Sequence, residues 1–153
     1  MALAFALGVG GCAELSAELG YTSPRDRPSA EGGATLDLRA NSGGAVAFGV
    51  NAHSTLGSDL QTIVLSPELR VGVMSEALSL HLRGGLRVVQ FERLRGDWSI
   101  SSLSPYGGPV LGIGLGANLR LLVSATAEYD VRLEDNEADV LYLGLAAGLA
   151  FDL

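Results

Sequence analysis

Val140-Leu-Tyr-Leu-Gly-Leu-Ala-Ala-Gly-Leu-Ala-Phe-Asp-Leu153 ends the chain, and its reading decides the fold. Its odd positions are Leu141, Leu143, Leu145, Ala147, Leu149 and Phe151; its even positions are Tyr142, Gly144, Ala146, Gly148 and Ala150. Alternate side chains of a β-strand point to opposite faces. One face is therefore a leucine stripe ending in an aromatic, and the other is mostly glycine and alanine. A water-facing side would carry charge, and neither face does before Asp152. The pattern predicts a strand with lipid on one side and a crowded interior on the other.

The same alternation recurs along the whole chain. Strands are expected over Ala13–Thr22, Ala34–Asn41, Ala45–His53, Leu60–Val73, Leu78–Phe91, Tyr106–Ala117, Arg120–Arg132 and Val140–Leu153. In the first, Leu15, Ala17, Leu19 and Tyr21 oppose Glu14, Ser16, Glu18 and Gly20. In the seventh, Leu121, Val123, Ala125, Ala127, Tyr129 and Val131 oppose Leu122, Ser124, Thr126, Glu128, Asp130 and Arg132. Each segment is close to the ~9–11 residues that cross a bilayer at a tilt. The connections alternate in length. Thr22–Gly33, Ser54–Asp59, Glu92–Ser104 and Leu133–Asp139 are longer, whereas Asn41–Gly44, Met74–Ala77 and Ala117–Leu119 are tight turns. Short periplasmic turns and longer outer loops mark outer-membrane barrels, so both termini are expected on the periplasmic side. Pro67 falls inside the fourth strand, where it removes a ladder donor, and a bulge is expected there.

Composition agrees. The 153 residues form one domain over 13–153 and are 48% hydrophobic, yet no run is long enough for a membrane-spanning helix. All ten basic residues are arginine, and the net charge of −7 argues against nucleic acid. One cysteine excludes an internal disulfide and a cysteine-based metal cluster. Residues 1–12 have three readings. Met-Ala-Leu-Ala-Phe-Ala-Leu-Gly-Val-Gly-Gly-Cys12 resembles the tail of a signal peptide without its positive start. Leu3, Phe5, Leu7 and Val9 also share the odd parity of the first strand, which suits extra strand residues. Val9-Gly-Gly-Cys12 loosely resembles a lipobox, which makes Cys12 the candidate lipidation residue.

Alternation alone leaves open which face meets water, because a soluble lipocalin-like barrel also alternates. Two features favour the membrane. The non-apolar faces of strands six and eight are largely glycine and alanine, which would leave a soluble surface nearly uncharged. The remaining charges form sets of opposite sign: Glu14, Glu18, Asp37, Glu68, Glu128 and Asp130 against Arg39, Arg70, Arg83, Arg87 and Arg132, with His53 and His81 on the same face. An eight-stranded barrel is just wide enough to be filled by its side chains, so arginines from one wall can lie over glycines of the other. If Met74–Ala77 is a four-residue loop, Val73 faces Leu78, Arg70 faces His81, and Glu68 forms an ion pair with Arg83. Tyr21, Phe48 and Tyr129 would form a sparse outer girdle, and Phe151 an inner one.

The chain resembles the small eight-stranded outer-membrane β-barrels of the OmpA-domain and OmpX type. The resemblance is carried by the eight-strand meander, by Pro105-Tyr-Gly-Gly-Pro-Val-Leu-Gly-Ile-Gly-Leu-Gly116 and by the closing strand, from about Ala13 to Leu153. It implies an all-β, up-and-down transmembrane barrel in the bacterial outer membrane. Its role would be structural, surface-contacting or narrow-pored, and it would be a monomer embedded among lipid and lipopolysaccharide. The family's last strand ends on an aromatic recognised by the barrel assembly machinery; here Phe151 and Leu153 stand in for that insertion signal.

No catalytic residue, cofactor or metal is expected. Gly112-Ile-Gly-Leu-Gly-Ala117 fits the dinucleotide fingerprint, but a strand follows where that motif needs a helix. His53 and Ser54 are strand neighbours on opposite faces and make no nucleophile–base pair. A lipid-modifying enzyme therefore stands behind a non-enzymatic barrel. Glu134-Asp-Asn-Glu-Ala-Asp139 lacks the EF-hand glycine and is a solvated loop. Arg93, Arg95 and Trp98 are candidates for contact with lipid head groups.

Overall fold

The computed structural model describes residues 13–26, 32–56, 61–92, 97–99, 102–132 and 139–153. Cys12 with the segment before it, Arg93, Arg95 and most of the acidic loop lie outside the described residues.

The alternating segments form β1 (Ala13–Pro24), β2 (Gly33–Ser42), β3 (Val46–Leu56), β4 (Gln61–Met74), β5 (Leu78–Arg87), β6 (Val89–Glu92), β7 (Asp97–Ser99), β8 (Ser102–Gly114), β9 (Leu119–Arg132) and β10 (Val140–Asp152). Every neighbouring pair is antiparallel, and β1 pairs with both β2 and β10, so the meander closes on itself. β6 prolongs β5 beyond Val88, and among the described residues β7 pairs only with β6. The barrel therefore has eight strand positions, with one hairpin running on past its rim. The expected loop over Glu92–Ser104 instead holds β7 and the start of β8.

The faces divide by parity. Leu19, Val73, Leu82 and Leu145 are each at least two-thirds exposed on the outside, while Glu14, Glu18, Glu68, Arg70 and Arg83 are buried inside. A water-soluble barrel requires the reverse, because burying charge is costly without partners and exposing a continuous apolar belt to water is costly too. Lipid removes the second cost, and the pairing described below removes the first. This is a transmembrane barrel. Val110, Leu122 and Ala150 form a small apolar cluster on the inner wall.

Two local features depart from the sequence reading. The β4–β5 turn contains two central residues, Glu76 and Ala77, because Ser75 N donates to Leu78 O at 2.9 Å. Val73 therefore faces Leu80, Arg70 faces Arg83 and Glu68 faces Gly85. A two-residue slip preserves parity, so every side chain stays on its expected face while every partner changes. The bulge is also displaced. The β3–β4 ladder runs unbroken through Val50↔Pro67. On the other side, pairing lapses between Glu68↔Gly85 and Leu65↔Val89, which leaves Leu86, Arg87 and Val88 opposite Ser66 and Pro67. The extra residue sits in the strand opposite Pro67, where the missing donor leaves a gap in the ladder.

Gly44, at φ 109°, makes the β2–β3 turn in a conformation that favours glycine. Phe48 lies close beyond that turn, at the end of the barrel that carries the termini. It belongs to the same girdle as Phe151, rather than to the outer one with Tyr21 and Tyr129.

Candidate functional site

The lumen holds the chemistry. Its side chains arrive from all round the barrel in three tiers.

The tier nearest the termini centres on Glu14, buried at 2% exposure. Arg70 reaches it from β4 through both terminal nitrogens. Arg120, the first inward residue of β9, lies 3.8 Å from Glu14 and 2.9 Å from Asp152. His81 is buried over Gly72, and neither ring nitrogen has a hydrogen-bond partner among the described residues.

The central tier centres on Glu18. Arg39 Nη1 donates to its Oε1 at 2.6 Å. Arg83 donates through Nη1 and Nη2 at 2.6 and 3.2 Å, in the forked geometry that suits a carboxylate. Ser124 donates to Glu18 and accepts from Arg83 Nη2 at 2.9 Å. Arg39 Nε also donates to Glu68 Oε2 at 3.0 Å, and Tyr106 OH donates to the same oxygen at 3.0 Å. The expected Glu68–Arg83 pair is thus replaced by Glu68–Arg39 and Glu18–Arg83, a consequence of the corrected register. Space for these crossings comes from β10, where Glu18 stands opposite Gly148.

The outer tier centres on Asp37. Its Oδ1 accepts from Asn51 Nδ2 and from His53 Nδ1, each at 2.9 Å, and forms an ion pair with Arg39 Nη2 at 3.1 Å. The second ring nitrogen of His53 lies 3.0 Å from Thr55 Oγ1. Arg87 pairs with Glu128, and its guanidinium lies 4.9 Å above the Tyr106 ring. Ser104 donates to Asp130 at 2.7 Å. A narrow vestibule with about 20 Å³ of free space lies in this half of the lumen, lined by Thr35, Asp37, His53, Arg83, Arg87 and Glu128 among others.

Of the residues expected in the interior network, Glu18, Asp37, Arg39, Glu68, Arg70, Arg83, Arg87, Glu128 and Asp130 take part in it. His81 is interior but unpaired. Arg132 has its place in the β8–β9 register, while its side chain lies outside the described residues. The sequence reading missed Arg120, Asp152 and Tyr106 as partners. Their even parity within their strands was the available signal. Phe151 and Leu153 are both exposed at the terminal end of β10, with Leu153 N held by Ala13 O at 2.7 Å.

No protein-family model matches this chain, and no curated protein matches it either. Solved structures do. Neisserial surface protein A is similar at 15% identity over 92% of this chain and 97% of that one, with a TM-score of 0.66. The N-terminal β-barrel domain of Pseudomonas aeruginosa OprF is similar at 11% identity over 90% and 97%, with a TM-score of 0.57. A de novo designed transmembrane β-barrel is similar at 14% identity over 94% and 96%, with a TM-score of 0.56. At such identities the likeness is one of fold: the chain has the fold of the small eight-stranded outer-membrane barrels.

Proposed function

We propose that this chain is an integral barrel of the bacterial outer membrane, with a structural or surface-contacting role and a lumen closed by its own ion pairs. The observation that carries this reading is the inverted burial: leucines and valines outside, and glutamates and arginines paired inside. The apolar surface is thus matched to lipid, and lipopolysaccharide is the partner we assign to its outer end. Closure of β1 on β10 leaves the barrel no free edge, so a monomer suffices. Phe151 and Leu153 are the residues we assign to recognition by the barrel assembly machinery.

The charge network supports a plugged interior without a large pore. Glu14, Glu18, Asp37, Glu68, Glu128, Asp130 and Asp152 outnumber Arg39, Arg70, Arg83, Arg87 and Arg120 on the described inner wall. Any residual conductance should therefore favour cations. The test pairs gel mobility with planar-bilayer recording. A detergent-dependent protein that migrates faster unheated, with small cation-selective conductance at most, is expected. A monomer soluble without detergent, or a large steady pore, contradicts the reading.

A further inference from the structure

Asp37, His53 and Thr55 share the inner face of β2 and β3 at the outer mouth. Thr55 follows His53 by two residues, so the strand period puts both side chains on one side, which it denies to Ser54. Asp37 Oδ1 only accepts, so the ring proton belongs on His53 Nδ1, 2.9 Å away. The Nε2 lone pair is then left to accept the Thr55 hydroxyl at 3.0 Å. A hydroxyl, a base on it and a carboxylate orienting that base make the arrangement that activates an oxygen nucleophile. Asn51 Nδ2 and Arg39 Nη2 hold the carboxylate from two further directions.

The surroundings supply the remaining parts. Asp37 and His53 line the vestibule together with Arg83 and Arg87. The Nε groups of Arg83 and Arg87 are buried donors without an acceptor among the described residues. The guanidinium groups of Arg83 and Arg87 line that vestibule and lend it positive potential for the charge that develops on a carbonyl oxygen. Thr35, the register partner of Thr55, adds another hydroxyl to the wall. Thr55 itself is half-buried, and its hydroxyl is joined to the vestibule wall through His53.

We propose that Asp37, His53 and Thr55 form an ester-hydrolysing site at the outer mouth of the lumen, acting on short, water-borne acyl esters. This goes beyond the structural role and does not depend on it. Thr55 Oγ1 attacks the acyl carbon and its proton passes to His53 Nε2. The tetrahedral oxyanion collapses, the carbon–oxygen bond to the alcohol breaks, and the alcohol leaves with the proton from His53. Water then attacks the acyl-threonine with the same base. It releases the acid and restores the hydroxyl, so that ester and water become acid and alcohol. The small free space of the vestibule has no room for a lipid chain and favours a short acyl group.

The test uses the full chain folded in detergent. It is treated with a small fluorophosphonate probe and, separately, with p-nitrophenyl acetate and p-nitrophenyl palmitate. One adduct on Thr55 by peptide mapping is expected, with acetate turnover on the order of 10²-fold or more above that of Thr55→Val. Thr55→Ser, which removes the crowding methyl, should label at least as fast as the wild type. Asp37 is a positioning residue, so Asp37→Asn should lower kcat while leaving KM near the wild-type value. Folding of each variant is verified by heat-dependent mobility. No adduct, an adduct elsewhere, or equal turnover by wild type and a folded Thr55→Val overturns the proposal. Preference for palmitate overturns the assignment to water-borne esters.

Discussion

Glu18 on β1 and Arg83 on β5 come from opposite walls of the barrel and meet through two hydrogen bonds, of 2.6 and 3.2 Å. β1 and β5 stand four places apart in a ring of eight, so this pair spans the lumen rather than lining it. Arg39 holds the same glutamate from β2 and passes the linkage on to Glu68 on β4. A single carboxylate thus ties together two arginines of different walls, and its removal leaves both short of a partner. Glu18→Ala is expected to destabilise the barrel by ~3–5 kcal/mol, measured by urea unfolding in lipid vesicles. The double replacement Glu18→Leu with Arg83→Leu should lose less than the sum of the two single changes, because neither buried charge is left alone. Additive losses would show that the two side chains do not meet.

The two-residue Glu76–Ala77 turn makes a separate prediction. In a Cys12→Ser background, Val73→Cys with Leu80→Cys should cross-link under mild oxidation, since these residues are register partners. Val73→Cys with Leu78→Cys places the sulfurs on diagonal neighbours, about 7–8 Å apart, and should cross-link poorly. The opposite ranking by non-reducing gel would restore the four-residue loop.

Gly148 is fixed by its neighbours' backbone. A Cβ there would lie 2.0 Å from Ala17 O and 2.6 Å from Glu18 Cα, atoms that cannot move aside without opening the β1–β10 seam. Gly144 differs, because its nearest obstacle is the methyl of Thr22 at 3.0 Å. Gly148→Ala should cost about 1–3 kcal/mol and Gly144→Ala clearly less, in the same unfolding assay. Equal costs would show that the close approach of β1 to β10 at Gly148 is not a constraint.

Much of this was legible in the sequence, and the physical reason is the period of two. Parity alone sends Glu18, Arg39, Arg83 and Glu128 inward and Leu19, Leu82 and Leu145 outward. Partners were less legible. Which arginine meets which glutamate depends on the stagger of strands across the lumen and on the reach of long side chains, and neither is written in one strand's alternation. Glu68 illustrates this: a turn shorter by two residues kept it inside and moved it from Arg83 to Arg39. Arg120 escaped notice because it opens its strand, where parity is hardest to assign. The hydroxyl next to His53 in sequence, Ser54, lies on the far face of the strand, while the hydroxyl on its own face belongs to Thr55.

The central claim is that the leucine stripe of β10 faces lipid and its even residues face the lumen. Tryptophan quenching by lipids brominated in mid-chain tests it most directly, in a Trp98→Phe background and in vesicles. Leu145→Trp, at a site 71% exposed on the outer face, should be strongly quenched. Tyr142→Trp, at a half-buried site of opposite parity on the same strand, should be shielded. Strong quenching at 142 with none at 145 would turn the barrel inside out and contradict the account.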